Sequence, residues 1–242
     1  MRLDKFLSNF GFGSRKEVKQ LIKEGLVSVN DNIVKNPSFK INPKTDVVKV
    51  DNEPISYQEE FYFMLNKPSG YVSATKDETH PTVLDFFINE PIHKNLFPVG
   101  RLDIDTEGLL LITTDGILAH RLSHPKWNVP KEYFAIVKGD ISTIDVKKFE
   151  DTGIFLKKDK YQTKPFKIEI LKVETNTSKV KITVKEGKYH IVKKIMEEIG
   201  FPVLYLKREK IGNLKLDENL KPGEYRHLTE EEIKSLKSLV NL

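Results

Sequence analysis

A guanidinium and two carboxylates, Arg101, Asp103 and Asp105, open the segment GRLDIDTEGLLLITTDG at residues 100–116 and precede an apolar run. Side chains two apart in an extended chain project to one side, so Arg101 and Asp103 would present a carboxylate with a cation beside it at the entrance to a buried strand. A neighbouring cation keeps an aspartate ionised even when it is partly desolvated. The same composition also describes a strand entered through a polar loop, with Thr106 and the carboxylates capping local amides. Other chemistries find less support. The chain has no cysteine, which excludes disulfides, thiolate metal sites, iron-sulfur clusters and cysteine nucleophiles. His120 and His124 stand one helical turn apart, but no glutamate follows His120 directly and no third ligand offers itself, so no metal is expected. The close glycine pair Gly11 and Gly13 sits before a helix cap rather than in a phosphate loop or dinucleotide fingerprint, no serine occupies a nucleophile elbow, and no cofactor is expected.

What must position such a carboxylate is bounded by length and charge. The chain has 242 residues, enough for one large domain or a large one with a small companion. With 38% hydrophobic and 31% charged residues it is not intrinsically disordered. No apolar run, the leucine-rich residues 109–112 included, comes near the ~20 residues a membrane span requires, and the start MRLDKF lacks a signal-peptide core, so a soluble cytoplasmic protein is expected. The net charge of +5 is localised: residues 1–50 hold ten Lys/Arg against five Asp/Glu, and the remaining thirty of each balance. Asp51, Glu53, Glu59 and Glu60, with Pro54, mark residues 51–60 as an acidic connector.

In the basic module Ser14 and Glu17 form a capping box and Gly25 supplies a left-handed stop, predicting a helix over 15–24. Val18, Leu21 and Ile22 fall on its packing stripe; Arg15, Lys16, Lys19 and Lys23 gather on the adjacent one. Short strands are predicted at 26–30 and 47–50, separated by the turn-prone Asn30, Asp31 and Asn32 and by Asn42 and Pro43. Four basic residues on a helix can be no more than a solvated face, but a basic module before an acidic hinge suggests a tethered nucleic-acid binder. The larger part begins with alternating Phe61, Phe63 and Leu65, a turn over 67–70, and a second strand at Tyr71 and Val72. Further strands are predicted at 133–138, 166–173 and 180–184, with a helix over 189–199 closed by Gly200. Sheet dominates without regular strand-helix alternation, which argues for an α+β fold with an antiparallel or mixed sheet.

The stretch RLDKFLSNFGFGSRKEVKQLIKEGLVSVNDNIVKNPSFKI resembles the S4 (αL-like) RNA-binding fold over residues 1 to about 50. The resemblance implies that the basic face cradles structured RNA by shape and phosphate contacts, with Arg2, Lys5, Arg15, Lys16, Lys19 and Lys23 as the binding side chains. PVGRLDIDTEGLLLITTDG resembles the catalytic motif of the pseudouridine synthases, and around it MLNKPSGYVSAT, KEYFAIV, EGKYHIVKKIM and LKREKIGNLKLDENLKPGEYRHLT stand in the family's order. With the S4 module in front, the chain is most similar to the small-subunit ribosomal RNA, or RsuA, type. This implies an S4 domain at 1–55, an acidic linker at 56–60 and, at 61–242, a catalytic domain with a mixed, largely antiparallel sheet and a central RNA cleft.

The reaction implied is conversion of one uridine in 16S ribosomal RNA to pseudouridine by a monomer needing no cofactor or metal, on naked RNA or on a ribosomal assembly intermediate. By the same resemblance Asp103 is the catalytic aspartate, attacking the sugar or abstracting its C2′ proton. Lys193 pairs with it, Tyr133 stacks on the extruded uracil or assists proton removal at C5, and Arg101 and Thr106 help to hold the nucleotide. The family usually has Gln where this chain has Ile191, which removes a polar contact near a helix start. A large-subunit RNA synthase, a noncatalytic S4 factor and a hydrolytic glycosidase using Asp103 with Asp105 are the rival readings. Two carboxylates so close in sequence rarely span the ~5 to 9 Å that a glycosidase pair needs.

Overall fold

The structure, a computed structural model, describes residues 1–43, 45–55 and 60–242. Most of the predicted linker, residues 56–59, therefore lies outside the described residues. Contacts divide the chain into two compact units, Met1–Glu60 with Phe87–Leu96, and Phe61–Phe86 with Phe97–Leu242.

The first unit opens with helix α1 (Leu3–Asn9), whose Leu3, Phe6 and Leu7 are wholly or almost wholly buried, and continues into α2 (Arg15–Lys23). The α2 capping box forms as predicted, the Ser14 hydroxyl accepting from the Glu17 amide and the Glu17 carboxylate from the Ser14 amide. Val18 and Ile22 face the core; Leu21 is only half-buried. Four short strands follow in the sheet order β2-β1-β3-β4: β1 (Val27–Val29), β2 (Asn32–Ile33), β3 (Val48–Val50) and β4 (Glu53–Pro54). Asn30 and Asp31 join β1 to β2, and Asp51 and Asn52 join β3 to β4, all four at positive φ. Such two-residue turns match the right-handed twist of the strands they connect, and Asn and Asp tolerate the left-handed backbone they require. The acidic stretch therefore does not begin as a connector: residues 51–54 turn and pair with β3, and Ile55 packs on the core.

The second unit is built on a sheet of order β11-β12-β8-β13-β7-β5-β15, with β14 on β13 and β6 on β7. In chain order its elements begin with β5 (Tyr62–Lys67), β6 (Phe97–Pro98), β7 (Glu107–Thr113), α3 (Gly116–Ser123), β8 (Lys131–Lys138), α4 (Phe149–Thr152), β9 (Phe155–Leu156) and β10 (Tyr161–Gln162). They continue with β11 (Lys167–Val173), β12 (Thr177–Val184), α5 (Ile191–Glu198), β13 (Val203–Ile211), β14 (Leu214–Lys215), β15 (Tyr225–His227) and α6 (Glu230–Leu239). All described pairings of these strands are antiparallel except β13 with β7, so the expected mixed, largely antiparallel α+β architecture is present.

Tyr71 and Val72 do not form the predicted strand; Val72 makes one isolated bridge to Thr82. The alternation read at Phe61, Phe63 and Leu65 also gives way, because all six residues of β5 are buried, as expected where a central strand is covered on both faces. One face packs Tyr62, Met64, Leu109 and Leu111 against Leu118 and Leu122 of α3 and Leu236 of α6. The β7–β13 contact needs a glycine: at Gly108, φ is +98° and a β-carbon would lie 2.3 Å from the Arg208 carbonyl oxygen. This close approach aligns the start of β7, just after Asp103–Thr106, with the middle of β13. Among the described residues no helix is long and apolar enough to cross a membrane.

Candidate active site

Asp103 stands on a turn at the entrance to β7, with the Thr106 amide donating to the Asp103 carbonyl at 3.1 Å. What fixes that turn is Lys67, the last residue of β5. Its side chain is fully buried, and its ammonium donates to the carbonyls of Pro68 (3.1 Å), Asp103 (3.1 Å), Ile104 (3.2 Å) and Thr106 (2.8 Å). Burial pushes the Lys67 pKa down to about 8 against the pull of Asp105, Glu107 and Asp103. A buried ammonium inside a cage of carbonyl oxygens is a clamp on the backbone that carries Asp103.

The Asp103 carboxylate meets two cationic or potentially cationic groups, both from the far end of the sequence. Lys193 Nζ lies 3.2 Å from Oδ2 and His190 Nε2 lies 3.3 Å from Oδ1. Lys193 also bridges to Asp105 at 2.6 Å, a shorter contact than the expected one to Asp103. Burial works against its charge, but the hydrogen bonds to Asp105 and Asp103 outweigh that and hold its pKa above the ordinary lysine value. Asp105 is pushed upward by burial, yet its bond to Lys193 prevails and leaves it below the usual carboxylate range. His190 adopts the left-handed conformation (φ 54°) at the start of α5, and its ring stacks on Tyr189 at 3.7 Å between centroids. The groups beside the Asp103 carboxylate are thus the Lys193 ammonium and the His190 ring, not Arg101, whose exposed side chain lies elsewhere along the wall.

These groups line a cleft of about 210 Å³ that also receives Arg101, Thr106, Tyr133, Lys131 and Arg208. Tyr133 is 9% exposed on β8, directly opposite Arg208 of β13. The second unit therefore gathers all the sequence-predicted residues of its chemistry, Arg101, Asp103, Thr106, Tyr133 and Lys193, around one hollow. Ile191 is buried in its wall, giving an apolar surface where the family's usual glutamine would be polar. Glu186 anchors the approach to α5, accepting from the Tyr161 hydroxyl and the Lys164 amide, each at 2.8 Å. His120 and His124 lie side by side, rings 5.1 Å apart, and among the described residues no group of three or more His, Asp or Glu could hold a metal.

Residues 61–198 match the RNA pseudouridylate synthase family, and residues 1–48 match the S4 domain. The chain belongs to the RNA pseudouridine synthases. This synthase is 47% identical over 233 residues to an uncharacterized RNA pseudouridine synthase of Bacillus subtilis, covering 96% of this chain and 97% of the relative. It is 42% identical over 237 residues to ribosomal small subunit pseudouridine synthase A of Escherichia coli, covering 98% of this chain and all of the relative. A crystal structure of a pseudouridylate synthase superposes with a TM-score of 0.66 at 37% identity, over 98% of this chain and 99% of the other. As a member of this family the synthase is an isomerase that carries an S4 domain.

In the S4 domain of the synthase, Arg15, Lys16, Lys19 and Lys23 are exposed along α2, and none pairs with a carboxylate among the described residues. Lys5 is exposed on α1. Arg2 differs: it makes a two-pronged bond to the buried Asp4 at 3.0 and 2.7 Å, which draws Asp4 below the usual carboxylate range.

Proposed function

We propose that the protein isomerises a uridine of 16S ribosomal RNA to pseudouridine, with Asp103 as the catalytic carboxylate acting on an extruded nucleotide. The observation that carries this reading is the placement of Asp103 in a cleft, its carboxylate between Lys193 and His190 and its backbone clamped by Lys67. The 16S substrate is supported by the similarity over nearly the full chain to ribosomal small subunit pseudouridine synthase A.

The glycosidic carbon cannot be reached inside a stacked helix, so the nucleotide must leave the stack and enter the cleft. Lys193 and His190 hold the Asp103 carboxylate toward the sugar, ready to attack C1′ or to take the C2′ proton. Fixing a reacting group in this way removes orientational freedom before the reaction begins. Tyr133, buried except at the cleft, offers its ring to the uracil and its hydroxyl to the proton leaving C5. Arg101, exposed on the wall, takes a backbone phosphate or the gap left by the extruded nucleotide, and Thr106 helps to hold the nucleotide. Residues 1–55 form the gripping module. Lys5, Arg15, Lys16, Lys19 and Lys23 contact phosphates without reading bases, while Arg2 is tied to Asp4 and orients α1. The acidic linker at 56–60 joins this grip to the catalytic domain at 61–242, which works as a monomer.

The test is to map pseudouridine in 16S ribosomal RNA from cells with and without the gene, and to incubate purified protein with a 16S transcript. One uridine should lose its modification in the deletion and gain it in the tube. An unchanged 16S map together with a missing pseudouridine in large-subunit RNA would overturn the assignment.

A further inference from the structure

The cleft holds more buried positive charge than the Asp103 cluster uses. Lys131 and Tyr133 stand two apart on β8, and Arg208 faces Tyr133 across the β8–β13 pair, so all three project from one face of the sheet into the hollow. Arg208 is 3% exposed; its Nε donates to the Leu109 carbonyl at 2.8 Å, but its Nη2 is buried without a partner. The Thr106 hydroxyl, on a residue 1% exposed, is likewise buried and unpartnered. Lys131 Nζ donates to the Leu122 carbonyl at 3.1 Å, and among the described residues neither it nor Arg208 forms an ion pair with a carboxylate. Burial, with Arg208 and Lys164 nearby, pushes the Lys131 pKa down to about 8. Orphaned buried donors and unpaired cations are costly in a folded protein unless a ligand completes them. The exposed cation Arg101 can serve the phosphate backbone, which stays in solvent; the buried Arg208 and the half-buried Lys131 face whatever enters deepest.

Resting on the reading of this cleft as the uridine site, we propose that Arg208, Lys131 and Thr106 form a subsite for the detached uracil anion, donating hydrogen bonds to its carbonyl oxygens. When the C1′–N1 bond breaks, its electron pair leaves with the ring, and the charge is shared among N1, O2 and O4. The base then turns and C5 bonds to C1′; the C5 proton departs and N1 takes one up. Throughout the interval the ring is an anion that must neither escape nor be protonated prematurely. Fixed donors aimed at charge that exists only after bond cleavage stabilise the transition state more than the bound substrate. The subsite is thus part of the catalytic machinery, separate from the Asp103–Lys193–His190 cluster that acts on the sugar.

The test exploits leaving-group acidity. Fluorine at C5 stabilises the uracil anion without help from the protein, so it reduces the need for the subsite. Single-turnover loss of uridine or 5-fluorouridine from a 16S transcript is compared for the unaltered protein, Lys131→Met, Arg208→Lys and Thr106→Val. We expect Lys131→Met to slow uridine by about 100-fold, roughly the effect of removing one donor to a developing anion, and 5-fluorouridine by less than about tenfold. Loss of folding, a slowed sugar step or weaker RNA binding would depress both substrates equally, and equal losses or none would overturn the proposal. Arg208→Lys and Thr106→Val should show the same bias, so the proposal stays testable if one variant does not fold. A second arm needs no RNA: equilibrium dialysis with 5-nitrouracil, an anion at neutral pH, should show binding at least tenfold weaker in Lys131→Met. Unchanged binding would also overturn the subsite, whereas a transcript the unaltered protein cannot modify would overturn only the proposed RNA substrate.

Discussion

The two ends of this protein use lysine in opposite ways. On α2 the basic side chains are exposed, unpaired with carboxylates among the described residues, and lie along one stripe. In the second unit Lys67 is wholly buried in carbonyl oxygens beneath the turn that bears Asp103, and Lys131, half-buried in the cleft, feels the nearby charge of Arg208, both with pKa values drawn down to about 8. Exposed cations attract a polyanion, and salt screens them; buried cations hold backbone or developing charge in fixed positions and are screened much less. On the proposed reading the same residue type supplies affinity in one unit and geometry in the other, and burial rather than identity decides which.

This contrast can be broken most severely at Asp103. Asp103→Asn keeps the size of the side chain and should leave folding and RNA affinity within about twofold, while the isomerisation rate falls by on the order of 10⁴ or more, as for other essential catalytic groups. Single-turnover rate and filter binding read the two quantities separately.

Next comes the clamp. Lys67→Met removes the donor shared by four carbonyls and frees the turn bearing Asp103. A displacement of about 1 Å at a reacting group costs about 100-fold in rate, and stability should fall by about 1–3 kcal/mol because buried acceptors lose their partner. Denaturant unfolding and the rate on a saturating transcript check both; full activity would show that the turn holds itself.

A smaller effect should appear on raising the pH. Lys131 is faced by Arg208 and Lys164, with Tyr133 beside it and Asp103, His190 and Lys193 also lining the cleft. Loss of the Lys131 and Lys67 protons should lower the rate as pH climbs through about 8. Lys131→Arg keeps a charge there, so the descending limb should become shallower, losing one of its two protons. Stability moves the other way: between about 8 and the ordinary lysine value the unfolded chain binds more protons, so these two groups make folding more favourable as pH rises. A rate that falls while stability holds thus separates titration from unfolding, and an unchanged limb in Lys131→Arg would remove Lys131 from the account.

Helix α2 was far easier to read in sequence than the cleft. Ser14, Glu17 and Gly25 specify α2 locally, because a capping box and a left-handed stop lie within a few residues of the helix. Helix α1 escaped that reading although Leu3, Phe6 and Leu7 carry helical spacing; it is short and has no side-chain cap. Strand β13 escaped it because Lys207, Arg208, Glu209 and Lys210 hide the alternation, and Arg208 is buried among donors that a hydropathy pattern scores as surface. The same is true of Lys67, whose one visible signal is its place at the end of an otherwise apolar strand. Its carbonyl partners at 103–106 lie far along the chain, as do Lys193 and His190 from Asp103. Long-range pairings leave no periodicity, so Asp103 with Lys193 was legible only through the resemblance of ordered motifs. His190 lies within the EGKYHIVKKIM motif, yet its left-handed backbone, which aims the ring, has no local marker such as glycine.

If grip and chemistry are separable in this protein, both can be measured apart on one substrate. Arg15, Lys19 and Lys23 are replaced together by Gln, and affinity for a 16S transcript is followed across salt concentrations beside the single-turnover rate at saturating RNA. Each lost phosphate contact should flatten the plot of log affinity against log salt by about 0.7 to 0.9. The saturated rate should stay within about twofold of the unaltered protein, in contrast to Asp103→Asn. An unchanged salt slope, or a saturated rate that collapses while binding persists, would contradict the account.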